Sequence, residues 1–347
     1  MKLRTWLNII TVILVLSIIY FGWGDIVKAF GYMGRANLWV LACLIPAQMF
    51  LYYSTGEQIF SYLRAKGDLK KTTSWQMARM SLELNFVNHI LPSGGVAGFP
   101  YLGWSLKRHG VSAGRAAMAQ IIRYLAFFIS FVLVLLIAVL FLFFDNRASQ
   151  SMIYLSAILV LVLIVGMSLL VYLLSSRDRL VRFGRWLTKF VNGIVSKVTR
   201  GKKTEVLELS VVEKFFHEIH QDYIEVMADK KILLKPFVWA IVQHIIDTIL
   251  ILIAFWALGF WVSPPIVFIA YGLSGFISNF SGTIGGTGAY EAIMVGFLLT
   301  SGISADVAIA GTLLARVILV LGTVLFGFVF YQLTINKYGK PTNSSDI

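Results

Sequence analysis

The sequence predicts an all-α polytopic membrane protein of about six full spans plus two re-entrant hairpins in an inverted repeat. Three observations predict it. The chain is 58% hydrophobic and only 14% charged, with a mean hydropathy of +0.79; a soluble domain averages about 25% charged. Two otherwise apolar stretches, around residues 88–98 and 278–291, are interrupted by polar residues and glycines. Lys and Arg gather in a few connecting segments, the bias expected of cytoplasmic loops. That bias accounts for the net charge of +13 and the pI near 9.8 without a nucleic-acid partner. The one cysteine, Cys43, excludes an intrachain disulfide and a thiolate metal cluster. No metal or cofactor is expected.

The first membrane half covers residues 1–174. Lys2 and Arg4 precede an apolar run, Trp6 to Phe21, that ends in bulky residues rather than a small-x-small cleavage site, so it reads as a retained first span. Leu38 to Tyr53 is a second span with a kink at Pro46, and residues 54–74 read as a basic cytoplasmic connection. Ser74 to Leu91 and Phe99 to Leu106 form a hairpin over residues 75–106. Basic residues flank both its arms, so it opens to the cytoplasm. Ala113 to Phe144 runs outward and Met152 to Leu174 returns.

Residues 175–231 form the only long polar insertion. Nine Lys or Arg stand against one acid between Arg177 and Lys203, interleaved with Leu180, Phe183, Trp186, Phe190 and Ile194. This pattern predicts a basic amphipathic helix on an anionic leaflet, covered by a more acidic helix over Thr204 to Asp229. The second membrane half, 232–336, holds a span at Leu233 to Leu258, a hairpin over 266–300 without Lys or Arg that opens outward, and a last span from Asp306 to Leu333. A short tail, 337–347, follows, and both termini are expected in the cytoplasm of a plasma-membrane protein.

The two breaks echo each other. Asn88-His89-Ile90-Leu91-Pro92-Ser93-Gly94-Gly95-Val96-Ala97-Gly98 is matched by Asn279 with Gly285, Gly286 and Gly288. Gly110-Val111-Ser112-Ala113 leads to Arg123, as Gly302-Ile303-Ser304-Ala305 leads to Arg316. Irregular backbone at membrane depth survives only where protein buries it or where it lines a wet cavity. An Arg within an apolar span costs about 3 kcal/mol or more to insert, and its fork suits a phosphate. Arg123 and Arg316 are therefore candidate substrate ligands, against the alternatives of snorkelling or pairing with backbone carbonyls. Glu291 and Glu83 are candidate counter-ions, proton carriers or partners of a cationic head group. Asn88, His89 and Asn279 are expected to face the same cavity. His244 and Asp247, three residues apart on one helical face, form either a proton relay or a polar seam.

In motif order, Leu91-Pro92-Ser93-Gly94-Gly95 and Gly285-Gly286-x-Gly288-x-x-Glu291 resemble the lysylphosphatidylglycerol synthase transmembrane-region family, over about residues 5–335. The resemblance implies a lipid-flippase-like fold. In two-domain members a soluble aminoacyl-transfer domain follows; with the chain ending at Ile347, that activity is expected to be absent.

The expected function is movement of a phospholipid or lipid-linked head group between leaflets through a midplane cavity. The alternatives are a membrane-embedded lipid or lipid-sugar transferase or its accessory subunit, and a scaffold for a soluble synthase. No ATP-binding, zinc-protease or nucleophile-elbow motif is present, so the chain is not expected to be an enzyme. Its partners are expected to be membrane lipids, anionic at the basic segment, with a second copy or a partner synthase as further options.

Overall fold

The computed structural model describes residues 16–17, 20, 23–90, 97–145, 150–198, 207–278, 286 and 288–338. Among these residues the fold is all helix. Five segments are long and apolar enough to cross a membrane: Leu38–Ala65, Ala113–Phe144, Gln150–Leu174, Lys230–Ala257 and Ala305–Tyr338. Most of the expected first span, and Pro92, Gly94, Gly95, Asn279 and Gly285 of the two breaks, lie outside the described residues.

Helix α1 (Trp23–Met33) was not read from the sequence, and it packs on the last helix. The second span is α2 (Leu38–Ala42) followed by α3 (Leu44–Ala65). The break at Cys43 falls just before Pro46, which cannot donate to the preceding turn. The expected end of the second span at Tyr53 is corrected here, because α3 continues to Ala65. Its polar residues are buried, and several bond within the helix: Thr55 Oγ1 donates to Leu51 O (2.9 Å), Ser61 donates to Glu57 O, and Glu57 pairs with Arg64.

Helices α4 (Ser74–Ile90) and α5 (Gly98–Lys107) lie against each other. Asn88 touches Gly98 and Glu83 touches Tyr101, so the two run antiparallel. Helix α6 (Ala113–Phe144) starts at Ser112, whose hydroxyl accepts from Arg115 N (3.2 Å) in an N-cap. Helix α7 (Gln150–Leu174) is peripheral and exposes Leu155, Ile158, Leu161 and Leu169, a surface suited to lipid.

Helix α8 (Arg177–Val198) and helix α9 (Leu209–Ala228) pack together outside the spans. Phe216 sits where a side chain at Gly184 would collide, at 2.7 Å from the ideal Cβ. Helix α9 docks on the ends of α3 and α6: Asp222 pairs with Arg115 (3.2 Å) and accepts from Tyr62 Oη (3.2 Å), and Lys66 pairs with Glu225 (2.6 Å). Burial pushes the Asp222 carboxyl above the usual carboxylate range against the pull of Arg115, while Lys66 holds Glu225 below it.

After a 3₁₀ turn at Lys230–Leu233 come α10 (Leu234–Ala257), α11 (Pro264–Ser278), α12 (Ala289–Thr300) and α13 (Ala305–Tyr338). Helix α10 is central and packs on α3, α6, α11 and α13. Close approach relies on small residues: an added Cβ at Gly311 would meet Phe255 at 2.2 Å, and one at Gly327 would meet Phe86 at 2.4 Å.

Candidate functional site

The middles of α3, α10 and α13, with α11, α12 and the end of α4, enclose a cavity of about 210 Å³. Polar side chains from each of these helices reach it, beside apolar ones such as Leu51, Ile251 and Met294. From α3, Gln48 Nε2 donates to Tyr52 Oη (2.7 Å) and to Leu319 O (2.8 Å), and Tyr52 Oη lies 2.6 Å from Thr323 Oγ1. From α10, Asp247 Oδ2 accepts from Tyr271 Oη (2.9 Å) and, more weakly, from Gln243 Nε2 (3.5 Å). The other end of the Gln243 amide accepts from Gln58 (2.5 Å). These bonds hold α3, α10, α11 and α13 in register around the space. Thr312 Oγ1, also in the wall, is buried without a hydrogen-bond partner among the described residues.

Arg316 lines this cavity. Its Nε donates to Glu291 Oε1 (3.2 Å), and its guanidinium lies over the Tyr290 ring (4.4 Å). The second oxygen of Glu291 accepts from Gly288 N (2.7 Å), where φ is +86°. A carboxylate there satisfies an orphan donor of the first turn, and the left-handed φ explains the glycine. One residue thus starts α12 and anchors the arginine.

Arg123 is placed differently. It is buried, donates from Nε to Gln120 Oε1 (3.0 Å) and lies over Tyr124 (4.5 Å), with no carboxylate at ion-pair distance among the described residues. It is not part of the cavity wall. The Tyr124 ring stacks on Phe99 of α5 (5.9 Å), so Arg123 stands beside the first hairpin as Arg316 stands beside the second.

The remaining expected residues separate. His89 lines the cavity, its Nδ1 2.8 Å from Asn85 O. Asn88 does not: its Oδ1 accepts from Gly98 N (2.8 Å), joining the two arms of the hairpin. A Cβ at Gly98 would lie 2.6 Å from the end of the Leu84 side chain, so a larger residue would displace Leu84 or Asn88. Gly286, with φ +73°, approaches Ser278 in the same way, at 2.7 Å from the ideal Cβ. His244 turns away from Asp247 and toward α6, with Nε2 3.0 Å from Phe127 O and 3.1 Å from Ser130 Oγ. No bond links His244 to Asp247.

Glu83 pairs with neither Arg123 nor Arg316. Its carboxylate takes Arg79 Nε (2.8 Å), Thr334 Oγ1 (2.6 Å) and the Tyr101 hydroxyl, clamping α4, α5 and α13. Of the roles expected for it, that of counter-ion to Arg123 or Arg316 is not the one its contacts show. Its partner lies one helical turn back on the same helix.

A sequence profile described as the lysylphosphatidylglycerol synthase TM region matches residues 6–327. The chain belongs to this family. A curated relative, a UPF0104 membrane protein of Methanothermobacter thermautotrophicus, is 27% identical over 237 residues, which is 67% of each chain. No solved structure matches. The family match and the five apolar helices together support a multi-pass membrane protein.

For this member of the lysylphosphatidylglycerol synthase transmembrane-region family, sequence reasoning missed part of the cavity wall. Gln48, Tyr52, Tyr271, Thr312 and Thr323 were not singled out. A signal existed for Gln48 and Tyr52, two polar residues four apart on one face of an apolar span. None existed for Tyr271, whose role depends on meeting Asp247 from another helix.

Proposed function

We propose that the protein moves the head group of a phospholipid or lipid-linked compound between leaflets. The head group crosses the polar cavity while the acyl tails stay in the bilayer. The observation that carries this reading is the shared wall of Arg316 and Asp247, a cation and an acid lining one polar cavity at mid-span. Arg316 offers donors to a phosphate while Glu291 fixes its position, and Asp247 serves a cationic group or balances charge. We assign no catalytic reaction to the chain.

The hairpin reading is supported by length. Helices α4, α5, α11 and α12 have 17, 10, 15 and 12 residues, whereas a span needs about 20. Lys66, Lys70, Lys71, Lys107 and Arg108 surround the open end of the first, while no Lys or Arg occurs between Lys235 and Arg316. That asymmetry supports opposite openings in an inverted repeat with cytoplasmic termini, and a plasma-membrane location is part of the same proposal. The test is reconstitution of the purified chain in liposomes with a panel of labelled lipids. Faster head-group translocation than in protein-free liposomes is expected for at least one phospholipid, and no acceleration across the panel contradicts the proposal.

Helix α8 is read as an interfacial anchor. Phe183, Trp186, Phe190 and Ile194 form an exposed apolar stripe, with the Trp186 ring 5.7 Å from Phe183 and 5.5 Å from Phe190. Replacing Arg179, Arg182, Arg185 and Lys189 by Gln is expected to weaken contact with anionic vesicles by about 1 kcal/mol per charge. The Trp186 contribution to emission, isolated against Trp186→Phe, then shifts to the red. An unchanged emission contradicts the anchor.

A further inference from the structure

A second pocket, of about 240 Å³, lies where α4 begins and where α5 and α13 end. It is separate from the polar cavity. Its charged walls are Arg79, Arg108, Lys337 and Glu83, three cations against one carboxylate. Glu83 and Arg79 are committed to each other. Arg79 is further held by Thr334 Oγ1 (2.6 Å) and Phe330 O (3.3 Å), so the excess charge resides on Arg108 and Lys337.

Neither of those two has a carboxylate at ion-pair distance among the described residues. Arg108 is nevertheless fixed. Its guanidinium lies over Trp104 at 4.4 Å and over Tyr338 at 4.2 Å, and one nitrogen donates to Ser105 Oγ at 3.3 Å. Two aromatic rings hold the guanidinium, and with one donor given to Ser105 its other N–H donors are left for a ligand. Lys337 adds a point charge from the last turn of α13, 5.2 Å from the Tyr338 ring. Exposed Trp75, packed edge-on against Phe330 at 6.1 Å, is of the residue type enriched at membrane–water interfaces. A solvated arginine has no need of a two-ring clamp; an anion-binding arginine gains from being held in place.

We propose that this pocket binds a phosphoryl group, that of an anionic lipid head group in the adjoining leaflet, through Arg108 and Lys337. Basic pockets between helix ends at a membrane surface are suited to such head groups. The site is independent of transport: binding is read with no translocation step, so either reading can fail while the other stands.

The test is isothermal titration of the purified full chain, in a neutral detergent, with dioctanoyl phosphatidylglycerol, dioctanoyl phosphatidylcholine or inorganic phosphate. Saturable binding of phosphatidylglycerol is expected, weakened about thirtyfold by combining Arg108→Gln with Lys337→Gln, at roughly 1 kcal/mol per charge. Arg108→Lys, which keeps the charge but loses the fork, is expected to fall between. Lys70→Gln with Lys71→Gln removes equal charge nearby and is expected to leave binding unchanged. Lys337→Gln alone, at an exposed position, keeps the test valid if the Arg108 variants do not fold. Lipid binding with phosphate silent supports the head group as ligand. Phosphate binding with the same dependence on the variants supports the phosphoryl site and assigns its source to solution. Undiminished binding by the Arg108→Gln, Lys337→Gln double variant, or equal loss in the Lys70, Lys71 control, overturns the proposal.

Discussion

Glu83→Ala is expected to destabilise the protein by about 3–5 kcal/mol, the cost of stripping a buried ion of its partner. Glu83 is 1% exposed and serves three donors from three helices. Without it the Arg79 guanidinium, the Tyr101 hydroxyl and the Thr334 hydroxyl share a cluster with no anion, and α4, α5 and α13 lose their common contact. Glu83→Gln keeps the volume and one acceptor and should fall between Ala and the parent. Glu83→Leu combined with Arg79→Met should recover most of the loss, because removing both charges is far cheaper than removing one. Thermostability in detergent measures all four. If Glu83→Ala is as stable as the parent but impaired in lipid movement, Glu83 is a substrate ligand rather than a clamp.

Arg316→Ala is expected to be of comparable size, about 3 kcal/mol. It strands Glu291, which is 14% exposed and already bound to the first turn of α12. Combining Arg316→Ala with Glu291→Gln should restore stability, since the neutral amide can still accept from Gly288 N. It should not restore transport, because the donors to the phosphate are gone. A double variant no more stable than Arg316→Ala alone would show that the two residues do not stabilise each other.

The parts of the fold that could be read from the sequence are those governed by local pattern. Ala113–Phe144 is a long apolar run behind a Ser cap, and its expected bounds coincide with α6. The basic amphipathic segment likewise begins at Arg177 as read. The continuation of α3 to Ala65 was not legible, because Ser54, Thr55, Glu57, Gln58 and Ser61 look like a loop until their partners are known. Within the site, Arg316 with Glu291 was open to reading as an arginine inside an apolar span and a carboxylate at a helix start. Arg79 with Glu83 was also open to reading, as opposite charges four residues apart on one helix. The contact of Asp247 with Tyr271 joins separate helices, and no spacing in the sequence announces it. Arg123 and Arg316 match in sequence position, but only Arg316 reaches the cavity; Tyr101 stands at the place after Gly98 that Glu291 holds after Gly288.

In the proposed function a lipid phosphate passes the Arg316 fork in the polar cavity. Arg316→Lys keeps the charge opposite Glu291 but loses the planar, bidentate geometry. The deciding measurement is head-group translocation by this variant in reconstituted liposomes, beside the parent and Asp247→Asn, with thermostability read in parallel. The account predicts a loss of about tenfold or more in rate for Arg316→Lys, with stability close to the parent. Translocation at the parent rate by Arg316→Lys would contradict it and leave the arginine as a structural partner of Glu291.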